Sequence, residues 1–156
     1  MEDLELEQIL AGLGVSENKA FGFDILLLPE FYKLKDKFVD AQDSLLLNKL
    51  LKKEGLSSAN AFDLGADINS VERKSSDIWL GTIFILSDVV LPIFIDVVSG
   101  LISKAVSEKR DRKHENAPYP SVHLKLRIKE NGTETEINYK GDAETLDKIL
   151  KSIKPK

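Results

Sequence analysis

Between Val122 and Lys129 apolar and polar residues alternate without interruption, and this run constrains the fold more than any other stretch of the chain. In an extended strand Val122, Leu124, Leu126 and Ile128 point one way, while His123, Lys125, Arg127 and Lys129 point the other. Asn131-Gly132 follows, the preferred pair for a two-residue hairpin turn because both positions want a positive φ. Counting outward from that turn fixes a register. Lys129 faces Glu134 and Arg127 faces Glu136 on a polar side; Ile128 faces Thr135, Leu126 faces Ile137 and Leu124 faces Tyr139 on an apolar side. A slip by one residue would exchange the two sides, so the register is strongly specified. Gly141-Asp142 then opens a last helix, 143–154, with Asp142 as its cap. Leu146, Ile149, Leu150 and Ile153 form its apolar stripe, and Lys148, Lys151 and Lys154 lie toward its negative end. Strands at about 122–129 and 134–140 and this helix make a ββα unit spanning 121–154.

Upstream, residues 1–115 read as a mainly helical region that packs with the ββα unit as one domain. Residues 2–13 suit a helix with Leu4, Leu6, Ile9 and Leu10 on its apolar side, stopped by Gly12 and Gly14. The short apolar run 23–28, closed by Pro29, suits a strand at a sheet edge or interior. Leu34, Phe38, Ala41 and Leu45 recur at helical spacing, which predicts a helix over about 31–53. Gly55 ends it, and a break near Asp43-Ser44 would let Ser44 cap a second helix. Residues 56–76 read as a connection containing short helical turns. The fold class expected from all this is α+β, a small antiparallel sheet packed by helices.

The segment from Trp79 to Ile102 is the most apolar in the chain and long enough to span a bilayer. Its fifteen Leu, Ile, Phe and Val residues favour insertion by about 7 kcal/mol in total, and Asp88 and Asp96 oppose it by about 3 kcal/mol each. Gly, Pro and Ser add further cost, so the sum lies near zero and hydropathy does not decide. Local signals favour two buried helices, about 77–86 and 89–107, because Ser87 or Asp88 can cap and Pro92 fits best near a helix start. The alternative is a small membrane-associated or pore-forming effector with 79–102 in the bilayer.

The chemistry available is narrow. The 156 residues include no cysteine and two histidines, which removes disulfides, thiolate zinc sites and thiol nucleophiles. His114 lies in a charged linker and His123 on the polar face of a strand, and no Gly-x-Ser-x-Gly elbow or phosphate-cradling Gly-Lys-Ser/Thr loop occurs. Gly12-Leu13-Gly14 follows a helix and is read as its end. A net charge of −4 argues against a general nucleic-acid binder. Charge is nonetheless uneven. The first thirty residues carry seven acidic groups against Lys19 alone, and 104–113 is basic. No catalytic, cofactor or metal residues are assigned. The candidates for a partner or membrane contact are Trp79, Asp88, Asp96, Lys109 and Arg110. Asp88 and Asp96 stand eight residues apart in apolar surroundings, so on one uninterrupted helix they would share roughly one side.

The C-terminal third resembles the effector-associated constant component domains of bacterial conflict systems. The residues that carry the resemblance are Val97 to Ile102 with Lys109-Arg110, then Val122 to Ile128, Asn131-Gly132, Glu136 to Tyr139, and Glu144 to Ile153. Where that family carries Trp-Leu-Arg-Arg before the hairpin, this chain has Ile102-Ser103-Lys104. The resemblance implies a non-catalytic adaptor in a prokaryotic antiviral or self/non-self system, encoded beside an effector or protease. Together with the residues it leads to a protein-interaction or regulatory module with a protein partner or a second copy of itself. It would need no cofactor and would reside in the cytoplasm, or at the inner membrane under the alternative.

Overall fold

The computed structural model describes residues 2–32, 37–39, 43–66, 78–111, 121–130 and 133–153. In chain order the elements are α1 (Glu2–Leu13), α2 (Glu17–Ala20), β1 (Ile25–Leu28), β2 (Glu30–Tyr32), β3 (Lys37–Val39) and α3 (Ser44–Lys53). Then come β4 (Ser58–Asn60), β5 (Ile78–Ile85), α4 (Leu91–Asp111), β6 (Ser121–Glu130), β7 (Thr133–Asp142) and α5 (Ala143–Ile153). The fold is α+β. Its main sheet is five-stranded and mixed, in the order β4-β1-β5-β6-β7, and β2 and β3 form a separate antiparallel pair.

The hairpin has the register that its turn specifies. Lys129 lies opposite Glu134, Ile128 opposite Thr135, Arg127 opposite Glu136, Leu126 opposite Ile137 and Leu124 opposite Tyr139. Asn131-Gly132 itself lies outside the described residues, as do the linker at 116–120 and His114. Asp142 caps α5, its carboxylate accepting the Thr145 N–H at 2.8 Å, and Leu146 and Leu150 are fully buried on the inner stripe.

Two apolar clusters flank the sheet. On one face Ile25, Leu27, Ile83, Ile85, Leu126 and Ile128 meet Leu47 and Leu51 of α3, Phe94, Ile95 and Val98 of α4, and Leu146 and Leu150 of α5. On the other, Leu26, Leu28 and Phe84 meet Leu6 and Leu10 of α1, Ala20 of α2, and Ala59, Ala61 and Leu64 around β4. A strand covered on both faces loses its alternation, which is why β1 reads Ile-Leu-Leu-Leu with all four residues buried.

The same cause corrects the expectation of a helix over 77–86. Residues 78–85 form β5, paired antiparallel to β1 and parallel to β6. Ile78, Leu80, Ile83 and Ile85 belong to one cluster and Phe84 to the other. A bulge between Trp79 and Gly81 supplies the phase change between Leu80 and Ile83, and Gly81 carries it with φ +77°, a backbone angle that side chains with a Cβ resist. The second expected helix is present as α4, preceded by a 3-10 turn at Asp88–Val90. Among the described residues no helix is long and apolar enough to cross a membrane. The segment 79–102 is therefore a strand followed by a helix.

Two further expectations change. Within the helix expected over 31–53, the described residues are helical over Ser44–Lys53, and Phe31 stands opposite Phe38 in the β2–β3 pair; residues 33–36 and 40–42 lie outside the described residues. Phe-Tyr and Phe-Val are strand-favouring dipeptides, and Phe38 of the expected helical period lies in a strand. In the connection 56–76, Ser58–Asn60 is an edge strand parallel to β1; residues 67–76 lie outside the described residues.

Candidate functional site

The five residues singled out from sequence do not converge. Trp79, second residue of β5, is half-buried and stacks on His123 of β6, ring centroids 3.7 Å apart and planes 7° from parallel. Its backbone is clamped by Asp43. The Trp79 N–H donates to the Asp43 carboxylate at 2.7 Å, and the Asp43 N–H donates to the Trp79 carbonyl at 2.8 Å. Asp43 stands at the N-cap position of α3 without capping it through its side chain, because that carboxylate is committed to Trp79. Asp88 lies in the 3-10 turn, before α4 begins. It therefore shares no uninterrupted α-helix with Asp96, which is exposed further along α4. Lys109 and Arg110 fall in the last turns of α4.

Asp96 borders an open groove of about 340 Å³ between α3 and α4. Leu46, Leu50 and Glu54 recur every four residues and form one wall; Val97, Gly100, Leu101 and Lys104, with Asp96, form the other. The floor is apolar, and two acidic side chains and one basic side chain stand at the rim. Leu46 is 52% exposed, and its neighbour Leu45 is 58% exposed. Gly100 faces open space, with no atom within 4 Å of where a Cβ would stand. A helix-interior glycine costs about 1 kcal/mol relative to alanine, and here no close contact requires it.

Both walls are fixed from behind. On α3, buried Asn48 donates to the Asp63 carboxylate at 3.0 Å and accepts from the Ser58 hydroxyl at 2.8 Å. Lys52 pairs with the same carboxylate at 2.7 Å. Asp63 and Asn60 exchange bonds between side chain and backbone, at 3.2 and 2.8 Å. Burial pushes the Asp63 carboxyl up, but the bonds from Lys52, Asn48 and Asn60 outweigh it and hold the group below its ordinary value. On α4, the Ser99 hydroxyl donates to Asp147 of α5 at 2.6 Å, and Lys151 pairs with Asp147 at 2.8 Å. The bonds from Lys151 and Ser99 lower the pKa of Asp147. A groove with anchored walls loses little freedom when filled.

Sequence reasoning picked out one groove residue, Asp96. The missed signal lies in Leu45-Leu46-Leu47 and Leu50-Leu51. Five leucines in a ten-residue helix exceed what one buried stripe needs. No protein-family model, curated protein or solved structure matches the chain.

Proposed function

We propose that this chain is a non-catalytic protein–protein interaction module, and that the α3–α4 groove receives an apolar segment of its partner, most simply one face of an amphipathic helix. The observation that carries the reading is Leu46, more than half exposed in the wall of an apolar groove whose walls are fixed, with the adjacent Leu45 also more than half exposed. Leucines left in water on an ordered helix, beside a concavity, mark a docking surface. The adaptor role is also what the C-terminal resemblance implies. The prokaryotic defence setting rests on that resemblance, and the cytoplasmic location on it and on the lack of cysteine.

A photo-crosslinking residue introduced at position 46 in cells tests the proposal, with position 144 as control because the Glu144 side chain is 83% exposed on α5. The expected outcome is a discrete crosslinked protein from position 46, absent from position 144 and lost when Gly100→Phe fills the groove. Equal crosslinking from both positions, or crosslinking that survives Gly100→Phe, would remove the groove from the account.

A further inference from the structure

The two edges of the main sheet are finished differently. The β4 edge is three residues long, all buried, with the Asn60–Asp63 turn wrapped against it. The β7 edge is ten residues long. It has no proline, and its pairing with β6 runs from Glu130↔Thr133 to Ser121↔Asp142 without a register shift. Among the described residues it pairs with β6 alone. Helix α5 packs on the face of β6 and β7. Thr135, Glu136, Asn138 and Lys140 are exposed. Long regular edges are usually blunted by charged side chains, proline or bulges; this one has neither proline nor bulge, and its charges, Glu134, Glu136, Lys140 and Asp142, are of both signs.

What fits such an edge follows from its own sequence. In a two-fold antiparallel pairing, residues directly opposite each other share a face. The apolar side of β7 (Thr135, Ile137 and Tyr139) meets its own kind only if the symmetry centre falls on a residue. A centre at Thr135 sets Glu134 against Glu136, and a centre at Glu136 sets that residue against its own copy. A centre at Asn138 sets Glu136 against Lys140 but also Glu134 against Asp142, and one at Tyr139 sets Glu136 against Asp142. A centre at Ile137 is different. It places Glu134 opposite Lys140 twice, Glu136 opposite Asn138 twice, Thr135 opposite Tyr139 twice, and Ile137 opposite Ile137. Among these five registers it alone joins opposite charges and opposes no like ones.

We infer that β7 is a homodimer interface, pairing antiparallel with a second copy about Ile137 to make one continuous ten-stranded sheet. The two-fold axis is perpendicular to the sheet, so α5 and its copy lie on the same face. The interface is separate from the α3–α4 groove, so either can fail without the other.

The test is sedimentation equilibrium of the full chain with charge-swap variants, each checked for folding by circular dichroism. Wild type is expected to approach twice the 17.4 kDa of one chain. Glu134→Lys alone sets Lys against Lys, and Lys140→Glu alone sets Glu against Glu, so each should shift toward the monomer. Mixing the two single variants restores both opposite pairs and should restore the dimer, as should the double variant Glu134→Lys with Lys140→Glu. The absence of native cysteine gives a clean second readout. Ile137→Cys should form a disulfide-linked dimer on mild oxidation, whereas Asn138→Cys, offset from its copy, should not. A monomeric wild type at the highest soluble concentration overturns the inference. So does a dimer unmoved by both single swaps, or one in which Ile137→Cys fails to crosslink.

Discussion

The two halves of the main sheet were assembled by different routes. Strands β6 and β7 are neighbours in sequence and pair across two residues, and α5 follows at once. Strands β4, β1 and β5 meet only after long excursions; Ile25 lies opposite both Ser58 and Ile85. In the local half one stretch of sequence carries the turn, the register and both faces, so the structure is written where it forms. In the non-local half each strand takes its meaning from a distant partner and from what covers it. Local pairing also closes shorter loops at lower entropic cost, so the hairpin should be the more independent half.

The largest expected effect tests that independence. Phe84 is 1% exposed in the cluster on the α1 side of the sheet. Phe84→Ala should destabilise the fold by about 3–5 kcal/mol, read from urea denaturation. Native-state hydrogen exchange refines the comparison. The amides of β1 and β4 should lose protection first in the variant, while those between β6 and β7 hold longer. Uniform loss across all five strands would mean that the halves unfold as one unit.

The bulge in β5 is the next lever. Gly81→Ala places a Cβ on a residue at φ +77°, a conformation that costs about 1–2 kcal/mol for other residues. The expected outcome is a loss of that size in thermal or urea unfolding. A neutral result would mean that the strand can straighten its phase without glycine. This position also explains why β5 was illegible. A run of Ile-Trp-Leu-Gly-Thr-Ile-Phe-Ile, buried on both faces and broken in phase by one residue, has neither strand alternation nor a helical period. Its neighbour β6 alternates because its second face is polar. There Arg127 lies 3.4 Å from Glu136 and 5.7 Å from the centre of the Phe84 ring. At 3% exposure Arg127 is far from the open polar side that alternation suggested, since the aromatic neighbour that helps cover it comes from β5.

The candidate groove was legible only in part, for a related reason. Asp96 stood out as a carboxylate in an apolar run, yet its groove partners Leu46 and Leu50 come from a helix separated from it by two strands. Apolar excess on α3 could be counted from sequence, but which leucines face the core and which face water depends on where α4 lies. Asp88 and Asp96 share no one α-helix because Asp88 lies in the 3-10 turn before α4, in keeping with the split that Ser87, Asp88 and Pro92 suggested. The signal at Gly100 runs the other way. A glycine inside a helix with nothing against it becomes informative only once that space is known.

The smallest expected effect concerns the polar knot that ties α3 to the β4 edge, where the non-local half is held by side chains. The Asp63 carboxyl titrates below its ordinary 3.8 in the folded chain, where burial opposes the charge but Lys52, Asn48 and Asn60 favour it. Above about pH 5 the group is charged whether or not the chain is folded, and its contacts contribute in full. As the pH falls through 3.8 the unfolded chain takes up the proton before the folded one, and the contribution drains away until the lower folded pKa is passed. Asp63→Asn should therefore flatten the fall in stability on the acid side of about pH 5, by under about 1 kcal/mol given the partly exposed Lys52 partner. Urea midpoints of both proteins between about pH 3 and 7 measure it. Parallel curves would show that Asp63 holds β4 through its geometry, as the amide of Asn could, and that charge plays no part in securing the shorter edge of the sheet.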